Sequence, residues 1–330
     1  MRQELAERKR ALFAAAFFTV AVVAVAATPQ LLGSRVGAAF RRLDDARPAW
    51  LWLAALLVVV ALVSWAQAWR SVIRSCGGSV GRVDTVARYA VGSGINTFLP
   101  ARLGDAARIA LFSRTLEHPA RVWTSAGVYT TIGAARAVWI AMLVLGGFAF
   151  GALPLWPVVV CAAFVAVAAC VAAASRRRNA GTRLAHFFDA YRELGRHPRE
   201  AAPMLAWMAI ATAARVGAAA AIVSSLGVHR SLGAALLIVP ALDLASLVPL
   251  APGGLGLSSG AVVVALNGYG IGVTTALTIG IGLHAVESVA GVACAAIGGL
   301  RLVEARRAAV VLTAATVIAG VVGVLMADVV

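Results

Sequence analysis

The chain is short of charge. Asp, Glu, Lys and Arg together make up 13% of its 330 residues, about half the roughly 25% of soluble domains. Apolar residues make up 61%, more than a water-soluble fold of this length can hide, so a soluble enzyme or a nucleic-acid-binding domain is excluded. Lysine is almost missing: Lys9 is the one basic residue of 29 that is not arginine. With 14 acidic residues the net charge is +15. No Gly-x-x-x-x-Gly-Lys loop occurs, which excludes ATP hydrolysis by this chain. The four cysteines (Cys76, Cys161, Cys170 and Cys294) form no CxxC pair. They read as small core residues and exclude a disulfide framework. Asp44-Asp45 is the only adjacent acidic pair, whereas a membrane lipid transferase needs an acidic metal-binding cluster.

What is present is a series of long apolar runs. A spanning helix needs about 20 mostly apolar residues. Seven such spans are predicted, at 11–27, 49–69, 122–150, 155–175, 201–226, 271–299 and 308–327. The first follows Arg8-Lys9-Arg10 in the manner of a signal peptide. Ala26-Ala27-Thr28 is a poor cleavage site, so an uncleaved span is expected. Two further regions, 85–115 and 232–268, are short or interrupted. The basic loop 176–200, the N-terminus and the segment 301–307 concentrate arginine and are expected in the cytoplasm. With those anchors fixed, 85–115 must begin and end inside, and 232–268 must begin and end outside.

The expected architecture is therefore an all-α polytopic membrane protein, a single integral domain over 1–330. It has about seven full transmembrane helices and two re-entrant hairpins. Residues 49–175 form a first repeat, and 201–327 form a second, inverted one. The chain is placed in the cytoplasmic membrane with its N-terminus inside. One loop resists: 28–48 falls outside, yet carries Arg35, Arg41, Arg42 and Arg47. An amphipathic helix lying at the interface would accommodate it.

Both interrupted regions contain Pro-x-x-Leu-Gly, at Pro100 to Gly104 and at Pro252 to Gly256. Broken backbone survives at membrane depth only where protein or a wet cavity supplies partners. Paired Gly/Pro interruptions in two halves point to a transporter's central site. Around the first, Asp105 and Arg108 are i, i+3 neighbours able to pair on a helix. That leaves Arg102 the freer cation for a phosphate, with Arg108 a second candidate contact and Asp105 part of the same substrate-binding group; the alternative is that all three snorkel at the interface. Around the second, Gly253 and Gly254 can turn amides toward an anion, with Ser258 and Ser259 as hydroxyl donors. The alternative is a tight turn that only glycine makes.

Within the spans lie Arg136 and Arg215, with Asp243 and Glu287 as available partners. They read either as two structural ion pairs or as a pair that opens during transport, with a carboxylate able to carry a proton. His284 and Glu287, also i, i+3, are a candidate proton relay. No metal site and no cofactor are expected. Trp50, Trp52, Trp65, Trp69, Trp156 and Trp207 read as interface anchors. The glycine spacings Gly147–Gly151 and Gly268–Gly272 permit close helix contact.

Asn96, Pro100, Arg102, Gly104, Asp105 and Arg108, followed far downstream by Pro249, Pro252, Gly253, Gly254 and Gly256, resemble the two motifs of the lysylphosphatidylglycerol synthase transmembrane (flippase-like) family. Asp105 stands where that family has Glu. Ser258 and Ser259 stand where a carboxylate is expected after the second motif. The resemblance covers about 11–327 and adds Asn96 to the candidate substrate contacts. It implies a protein that moves an anionic phospholipid, or a polyprenyl-phosphate-linked glycolipid, across the bilayer without being an enzyme. The aminoacyltransferase domain fused in the best-known members is not expected in these 330 residues. The alternatives are a non-catalytic partner of a glycosyltransferase or lipid-modifying synthase and, less favoured, a lipid transferase.

Overall fold

A computed structural model describes residues 46–98, 103–117, 120–149, 193–196, 198–229, 231–246 and 255–302, with scattered positions between 151 and 166. Spans 11–27 and 308–327, most of 155–175 and most of the loop 176–200 lie outside the described residues. Every element among the described residues is a helix: α1 (Pro48–Ser75), α2 (Arg82–Phe98), α3 (Leu103–Ser113), α4 (Arg121–Ala149), α5 (Pro198–Ser225), α6 (Ser231–Ala245), α7 (Leu255–Asn267) and α8 (Val273–Leu302). Four of them, α1, α4, α5 and α8, are long and apolar enough to cross a membrane.

Local chemistry explains the boundaries. Pro48 opens α1, at the first-turn position where a missing N–H costs nothing. Gly77 (φ +78°) and Gly227 (φ +70°) follow the ends of α1 and α5 in the left-handed region, and Gly78 and Val228 N–H donate back to Ile73 and Val223 carbonyls.

The two interrupted regions fold as helix pairs of 17 and 11 residues (α2 and α3) and of 15 and 13 residues (α6 and α7). None of these four reaches the roughly 20 residues of a full span. Within the first pair the helices run antiparallel. Asn96 meets Asp105, Ser93 meets Arg108, and Arg88 Nη1 donates to the Leu111 carbonyl. In the second pair, Gly233 sits against Tyr269 and Leu237 against Ala265.

Helix lengths recur between the halves: 28, 17, 11 and 29 residues in α1–α4, and 28, 15, 13 and 30 in α5–α8. The leading helices of the halves, α1 and α5, form the most extensive helix contact and run antiparallel. Arg47 N–H donates to the Ser225 carbonyl at one end, Leu57 packs beside Gly217 in the middle, and Arg74 pairs with Glu200 at the other end. Antiparallel equivalent helices are what inversion of one half requires. The first helix of each pair also rests on the last helix of the other half, α2 on α8 and α6 on α4.

Arginine gathers at one end of the bundle. Arg74 pairs with Glu200 at 3.4 Å, and Arg301 with Asp84 at 2.8 Å. The α2–α3 pair opens toward this end, and the α6–α7 pair opens toward the opposite one.

The core is continuous with this arrangement. Trp69 stacks on Phe112 with ring centroids 4.7 Å apart, which locks α3 to α1. The tryptophan expectation is corrected here. Trp52 is exposed, but Trp69 is buried, and Trp65 and Trp207 pack against the core. Trp65 and Trp69 are one helical turn apart on the face of α1 that meets α2–α4, so they are interior residues. Trp156 lies outside the described residues.

Candidate functional site

The first pair carries a knot of polar side chains. Because α3 begins at Leu103, Asp105 falls in its first turn and Arg108 one turn later. Asp105 Oδ1 accepts from Arg108 Nη1 at 2.8 Å and from Asn96 Nδ2 at 3.0 Å. Its Oδ2 accepts from the Tyr129 hydroxyl at 2.9 Å. Arg108 Nη2 donates to Ser93 Oγ at 3.0 Å, and its guanidinium lies 4.0 Å from the centre of the Tyr89 ring. Arg108 is buried, so its charge is offset by a carboxylate, a hydroxyl and an aromatic face together. Snorkelling to an interface is thereby ruled out for Arg108.

The second pair contributes a different arrangement. Asp243 on α6 accepts from Arg136 of α4 through Nε at 3.0 Å and through Nη2. It also accepts from Arg215 Nη1 of α5 at 2.5 Å. Both guanidiniums lie by the Trp65 ring, at 4.8 and 5.3 Å from its centre. The expectation of two ion pairs, divided between Asp243 and Glu287, is corrected: one carboxylate serves both arginines. The cluster of two cations and one anion carries a net +1. Glu287 forms no ion pair with a described residue, although its charge acts on Arg136 from α8.

Between the two arrangements lies a cavity of about 400 Å³. Its lining includes Trp65, Tyr89, Arg108, Tyr129, Arg136 and Asp243, so it joins the first helix pair to the second. The indole N–H of Trp65 is buried with no hydrogen-bond partner among the described residues.

Of the residues singled out in the sequence, Arg108, Arg136 and Asp243 line this cavity. Asn96 and Asp105 stand behind Arg108, and Arg215 stands behind Asp243. Ser259 is buried against Gly280 of α8, so it serves helix packing; neither it nor Ser258 lines the cavity. His284 and Glu287 lie on α8 between Gly280, which meets α7, and Gly291, which meets Thr97 of α2. They are outside the lining. Arg102, Gly253 and Gly254 lie outside the described residues. Sequence reasoning missed Trp65, Tyr89, Tyr129 and Ser246 as lining residues. A signal existed for Tyr129, in the polar run Tyr129-Thr130-Thr131 within an otherwise apolar span.

The family model described as lysylphosphatidylglycerol synthase TM region matches residues 12–295. The chain belongs to this family. Among curated proteins no significant match is found. The family's first motif now has a physical reading in this lysylphosphatidylglycerol synthase TM region. Asn96 and Arg108 each donate a hydrogen bond to Asp105, and Gly104 lets α2 and α3 approach closely enough for them to do so. The second helix pair delivers a carboxylate to the cavity, from Asp243.

Tyr129→Phe removes one of three donors to a carboxylate in a low-dielectric site. The expected cost is about 1–2 kcal/mol, read as a lower unfolding temperature in detergent. An unchanged temperature would show that the hydroxyl does not hold Asp105.

Proposed function

We propose that the chain translocates an anionic amphiphile, a phospholipid or a polyprenyl-phosphate-linked lipid, with the headgroup passing through the cavity between the two helix pairs. One observation carries this reading: two guanidiniums share a single carboxylate at the wall of a cavity fed by broken helices from opposite ends. An ionised side chain at membrane depth costs roughly 2.5–3.5 kcal/mol on insertion scales, so a cluster with surplus positive charge calls for a further anion. A phosphate supplies it, and its oxygens suit the guanidinium fork that Asp243 engages now. The Trp65 indole adds a donor.

In this reading the arginine-rich end faces the cytoplasm of a cell membrane, and the N-terminus lies on the same side. The α2–α3 pair then opens from the cytoplasm and the α6–α7 pair from the outside. As the halves rock, the phosphate exchanges with Asp243 for the two arginines, and the tails stay in lipid. The driving force is the lipid gradient or a coupled proton, because the chain holds no nucleotide-binding loop. The protein performs no covalent chemistry.

The test is purified protein in liposomes containing a fluorescent phosphatidylglycerol, with movement read by a membrane-impermeant quencher. Wild-type protein is expected to accelerate transfer between leaflets. Arg136→Gln is expected to reduce it to the protein-free rate. Asp243 stays paired with Arg215 in that variant, so the fold persists. Transfer that appears only when a lipid-modifying enzyme is added would favour the partner role. No acceleration by wild type, or full activity of Arg136→Gln, would overturn the transport reading.

A further inference from the structure

A second recess adjoins the polar cavity. It lies between α6 and α7, has a volume of about 460 Å³ and is lined by apolar residues alone, among them Leu236, Leu257 and Val264 with the small residues Ala241, Gly256 and Gly260. Pro240 and Leu244, one turn apart on α6, line both spaces. One ridge of α6 thus has arginine, aspartate and tryptophan on one side and only hydrocarbon on the other. Val264 is largely exposed, so the groove opens sideways on the helix surface that meets lipid.

We infer that this groove holds an acyl or prenyl chain of the same molecule whose headgroup occupies the cavity, an inference that rests on the transport reading above. The argument is one of continuity. A headgroup inside the cavity of about 400 Å³ must trail its tail through an opening, and a polar opening would strand hydrocarbon against charge. The groove beside Pro240 and Leu244 is apolar, adjacent and open to the bilayer. Lipid tails are as apolar as leucine, so entering it brings little hydrophobic gain. It acts by shape, as a path, and not as a source of affinity. Pro240 supports this role, since it lacks an N–H and interrupts the hydrogen-bond ladder of α6 at the ridge.

The groove can be filled without disturbing the fold. A Cβ built on Gly256 or on Gly260 meets nothing within 4 Å, so a side chain there projects into open space. The probe is a phosphatidylglycerol with a photoreactive diazirine at the end of one acyl chain, reconstituted with the full chain. Wild-type protein is expected to be labelled in α6 and α7 well above the outward face of α4 (Val138, Met142, Leu145). Gly260→Leu is expected to lose that excess labelling and all lipid movement while its unfolding temperature holds. Gly256→Leu serves as the second variant.

Glycerophosphoglycerol, the same headgroup without tails, should still raise the unfolding temperature of Gly260→Leu but not that of Arg136→Gln. Even labelling of all lipid-facing helices, or normal lipid movement by both leucine variants, would overturn the tail path. Headgroup protection would then persist and leave the transport reading standing. Absence of both protection and movement in wild type would sink that reading instead.

Discussion

Asp243→Asn is expected to destabilise the protein more than any other single change at the cavity, and more than Arg136→Gln. The ordering follows from the count of charges. Asp243 is one anion facing two guanidiniums, with side-chain exposures of 10%, 32% and 11% for Asp243, Arg136 and Arg215. Removing its charge leaves two cations within reach of each other and no compensating anion on α6. Breaking a buried pair from one side costs about 3–5 kcal/mol, and here the loss falls at the upper end because repulsion is added. Arg136→Gln instead leaves a neutral Asp243–Arg215 pair. What it loses is two charge-assisted hydrogen bonds and the contact with the Trp65 ring, partly offset by relief of the repulsion between the two guanidiniums, so the net cost stays below that of Asp243→Asn. Thermal unfolding in detergent, followed by helical circular dichroism, ranks the two variants. If Arg136→Gln proves the less stable, the carboxylate is not the shared keystone. The pairing geometry would then need revision.

That contrast also separates stability from function. Asp243→Asn should fail by unfolding. Arg136→Gln should unfold nearly as wild type does and yet move no lipid, because it takes away a phosphate-binding fork while leaving the charge of the cluster balanced. A structural ion pair with no role in binding would show the opposite pattern, in which activity tracks stability across both variants.

The parts of this arrangement that were legible in the sequence are those set by local rules. Length and hydropathy place α1, α4, α5 and α8, since a run of about 20 apolar residues has few other fates. Proline and glycine mark the breaks between α2 and α3 and between α6 and α7, and helical spacing alone brings Asp105 to Arg108. The parts that were not legible are those set by long-range packing. Arg136 and Asp243 are 107 positions apart, and nothing local tells Arg136 to choose Asp243 over Glu287. Trp65 was misread because interface tryptophans and interior ones share the same composition. The distinguishing sign is the polar company that α1 keeps around it, with Ser64, Gln67 and Ser71 all buried, which marks this half of the helix as facing protein. Gly151 and Gly272, the second members of the two Gly-x-x-x-Gly spacings, meet nothing within 4 Å. The close contacts are single glycines opposite distant partners: Gly298 beside Ala87, Gly94 beside Ala295 and Gly280 beside Ser259.

Gly104→Ala is expected to disable the protein by a route that involves no charge at all. Gly104 is buried in the first turn of α3, directly against α2. A methyl group there would run into the Gly92 carbonyl oxygen and would come within 2.5 Å of Asn96 Oδ1. The asparagine side chain can turn away, but only by giving up its hydrogen bond to Asp105. The Gly92 carbonyl belongs to the backbone of α2 and cannot turn at all, so the two helices must part. Separation strains every bond across the pair, including Arg108 to Ser93 and Arg88 to the Leu111 carbonyl. Overpacking of this kind costs about 3 kcal/mol or more when backbone is the obstacle.

Gly146→Ala is the matched control. It lies inside α4, where an added Cβ meets nothing within 4 Å, and helix propensity predicts a gain of about 0.5–1 kcal/mol. The pair of variants therefore moves the unfolding temperature in opposite directions for the same chemical change. If Gly104→Ala instead unfolds like wild type and transports normally, α2 and α3 are not held at this distance. The knot of Asn96, Asp105 and Arg108 would then be too loose to position a cation on the cavity wall.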